Sequence, residues 1–140
     1  MQNKVRKLAI IIGSGPSGLM AAEQLALKGL EVIVAERKPS LARKFLMAGK
    51  SGLNLTNDDK IEEFTTKFYE ASEWIDPILK NFCPKDVVKW AESLNENLFV
   101  GSSGRIFPVA MKASPILRSW IIKLKGEGVS FKTGWNWTGW

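Results

Sequence analysis

The chain of 140 residues has no histidine and a single cysteine, Cys83. One cysteine excludes an intramolecular disulfide and a multi-cysteine zinc site, and it favours a reducing compartment, so we expect a cytoplasmic protein. Without histidine the chain lacks the commonest general base, the Ser-His-Asp and Cys-His nucleophile pairs and imidazole metal ligands. These absences exclude most classes of hydrolase, and we expect no bound metal.

Long apolar runs are also lacking. The longest, Leu8 to Ile12, is far shorter than the roughly 20 residues of a membrane-spanning helix. The glycine-rich stretch from Gly13 follows too soon for this run to be the core of a signal peptide. Hydrophobic residues make up 45% and charged residues 24% of the chain, which is typical of one globular domain, and we expect no membrane partner.

Positive charge is concentrated in one segment. The chain has 20 basic and 14 acidic residues, a net charge of +6. Residues 37–57 contain no acidic side chain, whereas Asp58 and Asp59 follow at once. A short basic segment favours a local anion site over an extended nucleic-acid interface, so we expect no nucleic-acid partner. The basic residues of this segment are Arg37, Lys38, Arg43, Lys44 and Lys50.

The first 36 residues have the pattern of a β-α-β unit. Leu8 to Ile12 is an uninterrupted apolar run, which predicts a parallel strand buried on both faces. From Ser17 to Lys28 apolar and small residues recur at helical spacing, and a glycine ends the helix. Val32 to Ala35 predicts a second buried strand, joined to the first by a right-handed crossover.

The remaining residues divide into three segments. Residues 37–57 have no clean periodicity and predict a long connection. A helical segment is predicted over 58–94, capped by Asn57 or Asp58, with later helices over 75–82 and 84–94 that begin near Pro77 and Pro84. Residues 98–140 predict a hairpin over 98–100 and 105–109, a helix opened by Ser114, a third strand over 129–133 and a strand-like end.

For four other side chains a structural role is favoured over a functional one. Trp74, Trp90 and Trp120 fall on apolar faces of the predicted helices, so we expect them in the core rather than on a nucleic-acid surface. Cys83 has no basic neighbour or helix start beside it in the pattern, which favours a buried, inert thiol.

One motif carries chemistry, the segment Gly13-Ser14-Gly15-Pro16-Ser17-Gly18, which has the form G-x-G-x-x-G. It follows a predicted strand and opens a predicted helix, as a dinucleotide-binding turn does. Gly13 permits the tight turn, Gly15 lets the backbone approach a pyrophosphate, and Gly18 lets the helix pack closely on the strand. The amides at the helix start then face the phosphates.

Glu36 ends the second predicted strand in the expected register with the glycines. Its carboxylate is expected to accept hydrogen bonds from both ribose hydroxyls of an adenosine and to disfavour a 2′-phosphate. These residues by themselves do not choose between FAD and NAD, because both cofactors share the ADP half. The alternatives are a small NAD- or ADP-binding module without redox chemistry, or a glycine-rich turn that binds nothing.

A longer set of residues resembles a bacterial FAD-dependent flavoprotein family. Beyond the turn and Glu36, the resemblance rests on the segment from Ala42 to Asn57, which contains Gly49 and Gly52, and on the Gly104-Arg105-Ile106-Phe107-Pro108 block. Members are described as NAD(P)/FAD-dependent oxidoreductases and as aminoacetone oxidase-like or bile-acid reductase-like flavoproteins. Gly52-Leu53 replaces the Arg-Cys pair that most members carry.

The resemblance implies an α/β, Rossmann-like FAD-binding domain with a parallel sheet and a helical insertion. It implies FAD as cofactor, NAD(P)H as an electron donor of the full-length oxidoreductase, and Arg37, Lys44, Asn54 and Thr56 as further cofactor-binding residues. Members are about three times as long, so we expect an incomplete, amino-terminal part that is inactive alone. In strand order 3-2-1-4 the first strand has an open edge, which predicts self-association.

Overall fold

The computed structural model describes residues 7–139, which form two compact units. Unit 1 comprises the described parts of Met1–Met47 and Leu117–Trp140, and unit 2 comprises Ala48–Ile116. The elements in chain order are β1 (Leu8–Ile12), α1 (Pro16–Leu27), β2 (Glu31–Glu36), α2 (Arg43–Ala48), β3 (Thr56–Asn57), α3 (Ile61–Thr66), a short 3-10 helix (Tyr69–Ala71), α4 (Ser72–Asn81), α5 (Pro84–Ser93), β4 (Leu98–Val100), β5 (Arg105–Pro108), α6 (Ala113–Gly126) and β6 (Ser130–Thr133).

Unit 1 is built on a parallel sheet with the strand order β1-β2-β6. Ile10 lies opposite Ile33 and Val34 opposite Phe131, so the β-α-β unit is continued by a third parallel strand, as the sequence predicts. Val34 is fully buried in the core of the sheet. The α/β class with a parallel sheet is therefore confirmed.

One face of β1 departs from the prediction. Leu8, Ile10 and Ile12 are 54%, 58% and 55% exposed, although the apolar run predicts a strand buried on both faces. The reason lies in the covering layer: α1 packs on the other face, where a Cβ on Gly18 would lie 3.3 Å from the Ile11 side chain. Among the described residues the outer edge of β1 also pairs with no strand.

A buried polar cluster joins α1 to α6. The Glu23 carboxylate, on the buried side of α1, accepts a hydrogen bond from Trp120 Nε1 at 2.6 Å and pairs with Lys123 Nζ at 2.5 Å. Trp120 is 1% exposed and meets the ring of Phe45 edge-to-face, with centroids 6.2 Å apart. This cluster fixes both helices and the start of the α2 segment in one core.

Unit 2 contains an antiparallel sheet with the order β3-β5-β4 and the helices α3 to α5. Thr56 lies opposite Ile106, and Phe99 lies opposite Phe107, whose ring stacks on it with centroids 5.7 Å apart. Helix α5 packs on β3 and β4. The structure thus places the predicted hairpin, and adds β3 as its third strand.

Several local expectations for residues 37–82 are wrong. The predicted long connection contains α2, which has one buried residue, Phe45, and therefore shows no periodicity. Asn57 does not cap a helix, because it pairs with Arg105 in the sheet; α3 begins later, after Lys60. Asp58 donates its amide to the Gly104 carbonyl instead. The conformation at Asn57 and Asp58 is therefore set by pairing with β5 and the turn before it.

The prolines and aromatic residues bring further corrections. Pro77 lies inside α4 rather than in its first turn, and its missing N–H removes one hydrogen bond of the helix. Trp74 on the same helix is 69% exposed and is not a core residue, and Trp90 is half-buried. Cys83 is half-buried at the start of α5, where its amide donates to Asp86 Oδ2 at 3.0 Å.

The chain end also differs from expectation. Residues 135–139 form no strand, because Gly134 turns the chain at a φ of +73° and the Trp135 amide then donates to the Glu36 carbonyl. Trp140 lies outside the described residues. No helix in the described range is long and apolar enough to cross a membrane. No cluster of possible metal ligands occurs among residues 7–139.

Replacing Glu23 tests the core of unit 1. We expect Glu23→Ala to lower the free energy of unfolding by about 1–3 kcal/mol, since the buried Trp120 indole would lose this acceptor and the partly buried Lys123 would lose its ion-pair partner. Chemical denaturation followed by tryptophan fluorescence measures the change. The exposed Glu31 supplies the control, because Glu31→Ala should leave the midpoint unchanged; equal midpoints for both variants would contradict a role for the cluster.

Candidate functional site

The glycine turn between β1 and α1 shows two glycines that the fold itself requires. Gly13 has a φ of +94°, a conformation that side chains disfavour, and its amide donates to the Ala35 carbonyl at 2.8 Å. A Cβ on Gly18 would lie 2.1 Å from the Gly13 carbonyl oxygen. The first residue needs the freedom of glycine to turn the chain, and the second needs its small size to pack.

Gly15 differs from both. It has an ordinary extended conformation, with φ of −68° and ψ of 174°, and a Cβ placed on it would meet no atom within 4 Å. Neither backbone strain nor packing within the chain therefore demands glycine here. Gly15 is the N-cap of α1, with Pro16 as the first helical residue, and no side chain caps this helix start. The space in front of Gly15 is left open beside uncapped amides.

Glu36, at the end of β2, is held against this turn by hydrogen bonds. Its Oε2 accepts from the Ser14 amide at 3.1 Å and from the Ser14 hydroxyl at 2.6 Å, and its Oε1 accepts from the Lys38 amide at 2.8 Å. The fully buried Ser14 hydroxyl in turn accepts from the Ala42 amide at 2.9 Å. One serine thus connects the turn, the carboxylate and the loop before α2.

The same contacts keep Glu36 ionised. Burial is the largest single influence and opposes the charged form, but hydrogen bonds from Ser14 and Lys38 and the charge of Arg37 together outweigh it and lower the pKa of Glu36 below its usual value. A carboxylate that accepts three hydrogen bonds remains an acceptor at neutral pH. The Glu36 carboxylate can therefore accept a hydrogen bond from a further donor.

A cavity of about 450 Å³ lies in unit 1 at this end of the sheet. Its floor is the glycine turn, and its rim carries more positive than negative charge. Trp135 and Trp137, which are 55% and 51% exposed, form one wall. Sequence reasoning missed both as site residues, although their alternation with small residues after β6 was visible. The lining consists of Ile12, Gly13, Ser14, Gly15, Ala35, Glu36, Arg37, Lys38, Arg43, Lys44, Trp135, Asn136 and Trp137.

Most of the predicted site residues of unit 1 meet at this cavity. Gly13, Gly15, Glu36, Arg37 and Lys44 line it. The other three residues of the motif, Pro16, Ser17 and Gly18, form the first turn of α1. The glycine turn, the end of β2 and the basic loop are thus brought together as expected.

Asn54 and Thr56, by contrast, belong to unit 2 and line a separate cavity there, with Asn57 and Arg105. The Asn54 amide nitrogen, in the orientation that satisfies its surroundings, donates to the Thr56 carbonyl at 2.8 Å and to the Ile106 carbonyl at 3.3 Å. Its donors therefore hold β3 to β5. A role of Asn54 and Thr56 in cofactor binding stays a prediction.

Several solved structures have a similar fold. The chain aligns with 3-ketosteroid-Δ4-(5α)-dehydrogenase from Rhodococcus jostii RHA1 at a TM-score of 0.66 and 14% identity, over 96% of this chain and 39% of that one. A flavocytochrome c3 fumarate reductase aligns at 0.64 and 20% identity, over 92% and 26%. Thermovibrio ammonificans THI4 aligns at 0.54 and 21%, over 91% and 38%. These likenesses establish the fold, and the chain spans well under half of each of these proteins.

The comparison with protein families covers residues 7–140, where the sequence matches the HI0933-like protein Rossmann domain. This match confirms the Rossmann-like class and the resemblance to FAD-dependent flavoproteins, and with them FAD as the cofactor expected of the family. The match includes the glycine turn, Glu36 and the whole of unit 2. The chain belongs to the family of HI0933-like protein Rossmann domains.

Proposed function

We propose that the cavity of unit 1 holds the ADP half of FAD. The observation that carries the proposal is Gly15, because neither its conformation nor its surroundings in the chain require glycine. A glycine that the fold does not need is explained when a ligand lies where its Cβ would be. The adjacent start of α1 offers amides without a side-chain cap, which suits a pyrophosphate.

The charge around this position supports an anionic ligand. Arg37, Lys38, Arg43 and Lys44 line the cavity against one carboxylate, that of Glu36. These lysines and arginines are exposed at the rim, where they would screen phosphate charge rather than fix its geometry. Positioning comes from the turn, which is held by hydrogen bonds on both sides.

Glu36 has room for one further donor. A carboxylate offers about four lone-pair positions, and the amide and hydroxyl of Ser14 use both positions on Oε2, while the Lys38 amide uses one on Oε1. We therefore assign one ribose hydroxyl, not both, to Oε1 of Glu36. The sequence leads us to expect that Glu36 accepts hydrogen bonds from both ribose hydroxyls, and the assignment reduces these to one. The second ribose hydroxyl would form hydrogen bonds with water or with side chains at the rim of the cavity.

The adenine ring is assigned to the wall formed by Trp135 and Trp137. Both indoles are about half exposed and lie at the same cavity as Glu36, and an exposed indole face is a good stacking surface for a base. The Trp135 amide is fixed by its hydrogen bond to the Glu36 carbonyl at 3.1 Å. Ribose and adenine recognition are therefore coupled through the backbone of one residue.

When bound, FAD would supply the hydride or electron chemistry of a flavin-dependent oxidoreductase. The residues of unit 1 bind and orient its ADP half, and no acid or base for catalysis is assigned to them. NAD(P)H as electron donor rests on the family resemblance alone. The chain by itself is expected to bind rather than to turn over substrate.

The contrast between two glycines tests the proposal. Gly15→Val should weaken the binding of ADP and FAD by at least about thirtyfold, close to 2 kcal/mol, while the fold is unchanged, because its side chain enters only the open space. Gly18→Ala should instead lower the free energy of unfolding by about 1–3 kcal/mol. Titration calorimetry and thermal unfolding separate the two effects, and unchanged FAD affinity in Gly15→Val would refute the site.

The single free position on Glu36 gives a second test. We expect one of 2′-deoxy-ADP and 3′-deoxy-ADP to bind about tenfold more weakly than ADP, as for a lost hydrogen bond to a charged group, and the other to bind nearly as well. Calorimetric titration of both analogues measures this difference. It should disappear in Glu36→Ala and persist in the control Ser51→Ala, an exposed residue of unit 2. Equal losses for both analogues would contradict the assignment.

We also propose that the chain self-associates through β1. Its apolar face is exposed and its outer edge pairs with no strand in the described range. Sedimentation of the 140-residue chain should show a species larger than the monomer that grows with concentration, and Ile10→Lys should shift it to the monomer. Ile122→Lys, at a residue of α6 that is 65% exposed, is the control; an equal shift in both variants, or a monomer throughout, would contradict an interface at β1.

A further inference from the structure

A second cavity, of about 440 Å³, lies entirely within unit 2. It is bounded by β3, by one residue of β5 and by the helical segment α3 to α5. Its size falls within the range of roughly 300–1,000 Å³ that is usual for small-molecule sites. The lining residues are Asn54, Leu55, Thr56, Asn57, Phe64, Phe68, Leu79, Phe82, Pro84, Val87 and Arg105.

The helical side of this cavity is apolar and partly open to water. Phe64 and Phe68 meet edge-to-face, with ring centroids 5.6 Å apart and an angle of 70° between planes. Phe82 is 41% exposed, and Leu79 and Val87 are half-buried. A wall of aromatic and aliphatic side chains that remains in contact with water is stabilised when an apolar body covers it.

The sheet side carries a positive charge. Arg105 lies opposite Asn57 in the β3-β5 ladder, so both side chains project from the same face of the sheet. Arg105 forms no ion pair with any residue in the described part of the chain, and none of the residues that line the cavity is acidic. The nearby Asp59 is already paired with Lys67 at 2.5 Å.

The backbone around Arg105 is hydrogen-bonded on both sides. Two hydrogen bonds bracket the Asn57–Arg105 pair, from the Leu55 amide to the Ile106 carbonyl and from the Asp58 amide to the Gly104 carbonyl, each at 2.9 Å. Gly104 has a φ of +75°, and a Cβ on it would lie 2.6 Å from Asn57 Oδ1. The turn before Arg105 is thus held to β3 by hydrogen bonds and has no room for a side chain at Gly104. The Arg105 side chain is exposed and lines the same cavity as the apolar wall.

We propose that this cavity binds a small monocarboxylate with a compact apolar body, such as a single aromatic or alicyclic ring. The carboxylate would pair with the guanidinium of Arg105, whose planar donors match its two oxygens, and the ring would cover the phenylalanine wall. One positive charge suits one carboxylate better than a phosphate ester, which would leave net negative charge in a half-apolar site. The proposal does not rest on FAD binding in unit 1.

Benzoate is the probe for the test, used with the full 140-residue chain free of FAD. We expect saturable binding by calorimetry and by ligand-detected NMR, with benzamide and benzylamine at least about tenfold weaker, as expected when one charge-assisted hydrogen-bonded pair is lost. Arg105→Gln should weaken benzoate binding by a similar factor. Arg118→Gln, at an exposed arginine of α6, is the matched control and should bind as the unchanged chain does.

A second variant tests the apolar wall. Phe68→Ala should weaken benzoate and benzamide alike, by several-fold, while circular dichroism verifies that unit 2 is folded. Equal affinity for benzoate and benzamide, or an unchanged affinity in Arg105→Gln, would overturn the proposal. Displacement of bound benzoate by riboflavin would also overturn it, and would assign the cavity to a flavin ring, as the expectation for Asn54 and Thr56 implies. A failure of FAD to bind at Gly15 would leave these results unaffected.

Discussion

The hydroxyl of Ser14 is the point on which the geometry of unit 1 depends. It donates to Glu36 at 2.6 Å and accepts from the Ala42 amide at 2.9 Å, so that the end of β1, the end of β2 and the loop before α2 meet at one buried oxygen. Ala42 has a φ of +51°, a strained conformation for alanine. The loop keeps this conformation because its amide has a partner inside the protein.

Two kinds of glycine follow from this arrangement. Gly13 and Gly18 serve the chain, one through a positive φ and the other through close packing. In unit 2, Gly49 is likewise required for close packing, since a Cβ there would lie 2.7 Å from the Cβ of Ala113. Gly15, the N-cap of α1, needs glycine neither for a positive φ nor for close packing within the chain. The space around each Cβ thus separates the glycines that the fold requires from Gly15, for which we propose a role in ligand binding.

The two proposed sites, one in each unit, differ in design. In unit 1, backbone amides at the start of α1 are combined with a hydrogen-bonded carboxylate, and the proposed ligand is a nucleotide that has both phosphates and a ribose. In unit 2, one exposed arginine and several aromatic side chains line the same cavity, which is the basis of the proposed site for one charge on an apolar body. The first uses main-chain geometry and the second uses side chains projected from a short sheet.

The β-α-β unit, the glycine turn and the position of Glu36 could be predicted from the sequence, because they rest on hydrophobic patterning, on the conformational freedom of glycine and on the regular spacing of one β-α-β unit. It could not show that Ser14 would occupy one oxygen of Glu36, that Phe45 would anchor α2 on Trp120, or that Trp135 would return to the end of β2. Nor could it decide whether Asn57 caps a helix or pairs with Arg105. These contacts depend on the folded chain, because a side chain that could bond to several partners bonds to the one that folding brings within reach.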